Sequence, residues 1–93
     1  MIRLALALCI LAAPAMAQQQ PCMARDRMIA GLAVKYAEAR QYIGLTSTGL
    51  VMEAFAAWSG TWTITITRPD GVMCVLASGV SFEAMIEVPG QPM

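Results

Sequence analysis

The chain has 93 residues, with six basic and six acidic side chains, no histidine, and apolar residues at 58% of its positions. A formal net charge of zero disfavours nucleic-acid binding, which needs a concentrated basic face. The lack of histidine removes the commonest general base and metal ligand.

The first 17 residues have the pattern of a secretory signal peptide. Arg3 supplies a positive start, an apolar run of about 10 residues follows from Leu4 to Ala13, and Ala15 and Ala17 form a small-residue cleavage site. The run is too short for a membrane-spanning helix, which needs about 20 apolar residues. We therefore expect cleavage after Ala17 and export to the periplasm or the medium, with no stable membrane anchor after processing.

Removal of the leader would leave residues 18–93 as a single small domain with a net charge of −1. Cys9 would leave with the leader, so that Cys22 and Cys74 remain. In an oxidising compartment such a lone pair predicts a disulfide, with two free buried thiols as the alternative. Closing a loop of about 50 residues would contribute about 4 kcal/mol of stability.

A helix is predicted over about residues 24–43. Apolar residues, among them Ile29 and Leu32, recur there at helical spacing. Gly44 suits the left-handed position that ends a helix. Gly31 lies inside this helix, where we expect it to allow close packing against a strand.

Four later stretches have strand-like patterns, at about residues 50–57, 61–68, 72–77 and 82–88. The last stretch, at 82–88, is also compatible with a short helix, but a strand is slightly favoured there. In the second stretch Trp62, Ile64 and Ile66 alternate with threonines, so we expect the apolar side to face the helix and the threonines to face water. Arg68 to Gly71 predicts a tight turn closed by glycine.

These elements predict an α+β fold, in which one helix packs on a small antiparallel meander of three to four strands. The same alternation places Cys74 on the helix side of the sheet and leaves the other face uncovered. An uncovered apolar face usually has a partner. The predicted interaction surface consists of Val51, Phe55, Trp58, Met73 and Val75.

No motif in the chain indicates a catalytic, metal or cofactor site. Two thiols are too few for a metal site of about four ligands, and there is no phosphate loop or nucleophile elbow. The carboxylates of Glu53, Glu83 and Glu87 could lie near one another, but we expect them to be solvated strand residues. The chain is therefore interpreted as a protein without enzymatic activity, cofactor or metal.

After the leader, the chain has a cysteine before a helix, then the Gly60–Thr63 stretch, and then Gly71 shortly before a second cysteine. This order of features covers most of the chain after the leader. This pattern resembles a family of small exported alphaproteobacterial proteins of unknown function, some of which carry an adenosylhomocysteine-hydrolase-like name. The chain lacks the dinucleotide-binding fingerprint which that activity needs. One helix on a meander also resembles PepSY-type units, which are associated with binding or inhibiting peptidases.

The sequence therefore predicts an exported, non-enzymatic binding or interaction module. Its partner would be another protein or a second copy of the chain, held at the open face of the sheet. Two alternatives are an envelope structural or stress protein without a ligand, and a small secreted enzyme with a hydrolase-like activity.

Overall fold

The computed structural model describes residues 21–90 of the chain. Its elements are β1 (Cys22–Ala24), α1 (Arg25–Tyr36), β2 (Ala39–Leu45), β3 (Val51–Ala56), β4 (Trp62–Thr67) and β5 (Val72–Gly79). The predicted signal peptide, residues 1–17, lies outside the described residues. Within residues 21–90 no helix is both long enough and apolar enough to cross a membrane.

The five strands form one antiparallel sheet in the order β1-β5-β4-β3-β2. Strands β2 to β5 form a meander, while β1 pairs with the far edge of β5 and α1 connects the two edges of the sheet. The predicted α+β class is confirmed. The predicted number of three to four strands is wrong, because the sheet has five. Three of them correspond to the predicted stretches at 50–57, 61–68 and 72–77, and β1 and β2 are additional strands.

The helix ends at Tyr36, well before the predicted end near residue 43. Ala37 takes a left-handed conformation with φ 56° and ψ 35°, and its N–H donates to the carbonyl oxygen of Ala33. The N–H of Glu38 donates to the carbonyl oxygen of Leu32. A left-handed residue usually ends a helix as glycine. In this chain an alanine occupies the left-handed position, and nothing in the sequence indicates that the helix ends there.

Strand β2 occupies the stretch that the sequence predicted as the second half of the helix. It pairs with β3, and its Tyr42 and Ile43 are aromatic and β-branched residues of the kind that suits a strand. Gly44, predicted to stop the helix, lies inside β2 opposite Met52. Pairing with β3 therefore outweighs the helical spacing of this stretch.

The residues of β4 alternate between two faces as predicted, but α1 covers the opposite face from the one expected. The buried side chains of this strand are those of Thr63, Thr65 and Thr67, and the half-buried ones are those of Trp62, Ile64 and Ile66. The prediction that the threonines face water is wrong. A period of two shows that a strand has two different faces, but it does not show which face the helix will cover.

The hydrophobic core lies between α1 and this threonine-bearing face. Met28 and Leu32 from α1 pack with Phe55 and Met73 from the sheet, and Ile29 and Val75 border them. Phe55 is 1% exposed and Met73 is fully buried. Both side chains extend towards the helix because their strands pair in register with Thr63 and Thr67.

The predicted Cys22–Cys74 disulfide is confirmed. The two residues lie directly opposite each other on β1 and β5, with their Cα atoms 4.0 Å apart. Cys74 is paired with Ile66, so the bridge lies on the face away from α1 rather than on the helix side as predicted. The bond fastens the strand that leads directly into the helix to a central strand of the sheet.

The predicted turn at Arg68 to Gly71 is confirmed: the carboxylate of Asp70 accepts a hydrogen bond from the N–H of Val72, and Gly71 has φ 88°. The strand favoured at 82–88 is wrong, because these residues form neither strand nor helix. The N–H of Phe82 donates to the carbonyl oxygen of Gly60, whereas Ile86 is completely exposed.

The position of the core is tested by two substitutions in β5. Met73→Ala should lower the free energy of unfolding by about 2–5 kcal/mol, because it empties a fully buried site. Leu76→Ala should lower it by less than about 1 kcal/mol, because this side chain is 47% exposed. Urea unfolding of both variants measures the difference, and equal losses would contradict the assignment of faces.

The contribution of the disulfide is tested by replacing both cysteines with serine, so that no lone thiol remains. The double variant should be about 2–5 kcal/mol less stable than the oxidised protein, because its unfolded chain is no longer cross-linked. Unfolding of the reduced wild-type protein is the control and should give a similar loss. A double variant as stable as the oxidised protein would show that the bond contributes nothing.

Candidate functional site

A buried ion cluster lies at the centre of the face that α1 covers. The carboxylate of Glu53 has no exposed surface. Arg25 binds both of its oxygens, with Nε to Oε1 at 2.9 Å and Nη2 to Oε2 at 2.6 Å, and Arg40 adds Nη1 to Oε2 at 3.1 Å. The expectation that Glu53 is a solvated strand residue is wrong, because it joins α1 and β2 to β3.

The electrostatics of this cluster favour the charged forms of Glu53 and Arg25. The hydrogen bonds from Arg25 and then Arg40 hold the pKa of Glu53 below its usual range, against the opposing effect of burial. The bond to Glu53 in turn raises the pKa of Arg25. Because two guanidinium groups bind the carboxylate, the cluster stabilises the packing of the helix on the sheet and is not a reactive site. Glu83 and Glu87 lie elsewhere, exposed in the C-terminal tail.

The residues of the predicted interaction surface do not form an open face. Phe55 and Met73 are in the core, Val75 packs against it, and Val51 shares their side of the sheet through its pairing with Thr67. Only Trp58 is fully exposed, in the turn between β3 and β4. The prediction failed because it depended on the wrong assignment of faces.

A cleft of about 520 Å³ opens between α1 and the sheet, where β4 begins and β5 ends. We call it the α1–β5 cleft. Its walls combine aliphatic, thioether and aromatic side chains with a few polar groups, and the described residues lining it are Pro21, Met23, Met28, Gly31, Leu32, Lys35, Tyr36, Glu38, Thr61, Trp62, Thr63, Val75, Ser78, Gly79 and Val80. This volume lies within the range of pockets that bind small molecules, about 300–1,000 Å³.

The missing side chain of Gly31 helps to keep the cleft open. A Cβ atom added at this position would meet no atom within 4 Å. The expectation that Gly31 packs closely against a strand is therefore wrong. The helix passes over the end of β5 at this position without a side chain to occupy the space.

The indole of Trp62 is held in place on the face of the sheet away from α1, beside the end of β5. Its N–H donates to the carbonyl oxygen of Val80 at 3.0 Å. The ring also lies against the backbone of Gly79, where an added Cβ atom would approach the ring carbon Cζ2 to 2.8 Å. Any side chain at Gly79 would push the indole away, so this glycine positions the indole against the open face of the sheet.

Two polar groups of the cleft have no hydrogen-bond partner within the described part of the chain, residues 21–90. Glu38 is only 5% exposed, and its Oε1 atom has no hydrogen-bond partner among residues 21–90. The hydroxyl oxygen of Thr61 is also buried without a partner in that part of the chain. Leaving a buried polar group unsatisfied costs about 1–3 kcal/mol, and more when it is charged. Groups of this kind are normally satisfied by a ligand, an ion or water.

The sequence did not indicate this site because the predicted helix continued through Glu38 to about residue 43, whereas the helix ends at Tyr36. The left-handed turn at Ala37 brings Glu38 back beneath the end of α1. No glycine or proline at this position indicates the turn in the sequence. Trp62 was expected to face the helix, whereas its side chain lies on the other face of the sheet.

Comparisons with protein-family models, with curated proteins and with solved structures found no match. Within residues 21–90, no group of three or more histidine, cysteine, aspartate or glutamate side chains is arranged to hold a metal ion. The geometry of the α1–β5 cleft is the structural basis for the function proposed for this chain.

The Glu53 cluster predicts that stability falls in acid. Because the pKa of Glu53 is lower in the folded protein, its contribution is complete above the ordinary pKa of about 4.3 and is lost as the pH falls through the folded value. At neutral pH, Glu53→Gln should cost about 2–3 kcal/mol, because both arginines lose a charged partner but can still reach solvent.

The measurement is urea unfolding of wild type and Glu53→Gln at a series of pH values between neutral and strongly acidic. The difference between the two proteins should shrink as the pH falls. Asp70, whose pKa is also lowered by its bond to Arg68, titrates in both proteins and cancels in this difference. A difference that stays constant with pH would contradict the assigned role of Glu53.

Proposed function

We propose that this chain is an exported, non-enzymatic binding module that holds a small, largely apolar ligand in the α1–β5 cleft. One observation carries the proposal: the cleft has the volume of a ligand pocket, and a nearly buried carboxylate oxygen inside it has no partner among the described residues. A ligand that entered the cleft would bury apolar surface and satisfy this oxygen.

The lining of the cleft favours binding over catalysis. The thioether and aliphatic groups of Met28, Leu32 and Val75 provide apolar contact, which contributes about 25 cal/mol for each Å² that is removed from water. The few polar groups are placed among them as in sites where orientation of a ligand, rather than bond breaking, is the task.

Export is the second part of the proposal. The leader pattern at residues 1–17 supports it, and the Cys22–Cys74 bond is compatible with an oxidising compartment. We propose the periplasm or the medium as the location. The resemblance to small exported alphaproteobacterial proteins supports the same location and stays a proposal.

A protein partner or a second copy of the chain would use a different surface. The face of the sheet away from α1 carries Met52, Ile64 and Ile66, all half-buried. Substitutions in the cleft leave this face unchanged. An effect of cleft substitutions on binding therefore distinguishes the proposed cleft ligand from a partner on the open face.

The proposal predicts saturable binding of a neutral apolar probe, N-phenyl-1-naphthylamine, whose fluorescence rises in apolar surroundings. Gly31→Leu should weaken this binding at least tenfold, because the new side chain enters the open space of the cleft. Ala30→Leu is the matched control, since Ala30 is exposed on the same helix and does not line the cleft. Fluorescence titration of the three proteins measures the affinities.

Equal loss of binding in both leucine variants would place the probe elsewhere and contradict the cleft as its site. Circular dichroism checks that each variant is folded. We expect Gly31→Leu to fold at least as well as wild type, because glycine inside a helix costs about 1 kcal/mol relative to alanine, and leucine is also a good helix former.

A further inference from the structure

We infer that the ligand of the α1–β5 cleft carries a primary ammonium group on an apolar body. The inference rests on the proposed binding function and adds the chemical class of the ligand. It is carried by the charge and hydrogen-bonding needs of Glu38 together with the apolar walls around it.

The two polar groups without partners among the described residues determine which chemical group the polar end of the ligand must carry. A carboxylate can only accept hydrogen bonds, so the partner of Glu38 Oε1 must be a donor. The hydroxyl of Thr61, which lines the same cleft, can accept a further bond. An ammonium group has three donors and no acceptor, and its bond to a carboxylate is about twice as strong as a neutral one.

The side chains that form the walls of the cleft determine the chemistry of the rest of the ligand. The aromatic residue Tyr36 lines the cleft, and aromatic rings attract organic cations. The other main contacts are the apolar groups of Met23, Met28 and Val75. An alkyl or aryl chain suits these contacts, whereas a sugar or a nucleotide would leave its polar groups without partners.

One cation of the chain itself lies at the cleft. Lys35 lines it, but its side chain is exposed and forms no ion pair with Glu38 among the described residues. A ligand attracted by Lys35 would be an anion, and one attracted by Glu38 would be a cation. Ligands of equal chain length and opposite charge separate the two cases.

The experiment compares octylammonium, octanol and octanoate on the full exported chain with its disulfide intact. Displacement of N-phenyl-1-naphthylamine, the neutral probe of the cleft, measures the affinity of each of the three compounds. Octylammonium should bind about tenfold more tightly than octanol, and octanoate more weakly than either. Glu38→Gln should remove the advantage of octylammonium over octanol.

Each outcome has a distinct meaning. Equal affinities for octylammonium and octanol would overturn the ammonium inference and leave the apolar binding site in place. Octanoate as the tightest ligand would overturn it in favour of Lys35. No saturable response to any of the three, together with no binding of the neutral probe, would overturn both the inference and the proposed function. The wild-type comparison needs no variant at Glu38, so it decides the question even if Glu38→Gln fails to fold.

Discussion

The carboxylate of Glu53 determines how the helix sits on the sheet. It is fully buried on β3, yet it is satisfied by Arg25 from the first turn of α1 and by Arg40 from β2. A buried charge without partners would cost several kcal/mol, so the face that carries Glu53 has to meet both arginines. The Cys22–Cys74 bond reinforces this arrangement by fastening the strand next to Arg25 to β5.

This constraint explains why a row of threonines is buried beneath the helix. Thr65 is directly opposite Glu53 in the sheet, and its hydroxyl contacts the carbonyl oxygen of Glu53 at 3.3 Å. Once Glu53 faces the helix, the register of β3 and β4 turns Phe55 and the threonines the same way. The isoleucines of β4 then face outwards, opposite to the direction that hydrophobicity alone predicted.

The α1–β5 cleft is a consequence of the same placement. The ion cluster and the disulfide hold the start of α1 against the sheet, whereas its later turns pass over the end of β5 with Gly31 in place of a larger side chain. Ala37 then reverses the chain and brings Glu38 into the gap. A nearly buried carboxylate in an open apolar cleft is the feature on which the proposed ligand binding rests.

The sequence by itself determined the helix start, the three meander strands, the Asp70 turn and the cysteine pairing. These follow from local spacing, turn chemistry and the count of two cysteines, which are properties of neighbouring residues or of composition. Only the tertiary structure decided which face is covered, where the helix stops and where Glu38 lies. The physical reason is that these depend on pairing between distant residues, such as Glu53 with Arg25 and β2 with β3, and local patterns do not encode that pairing.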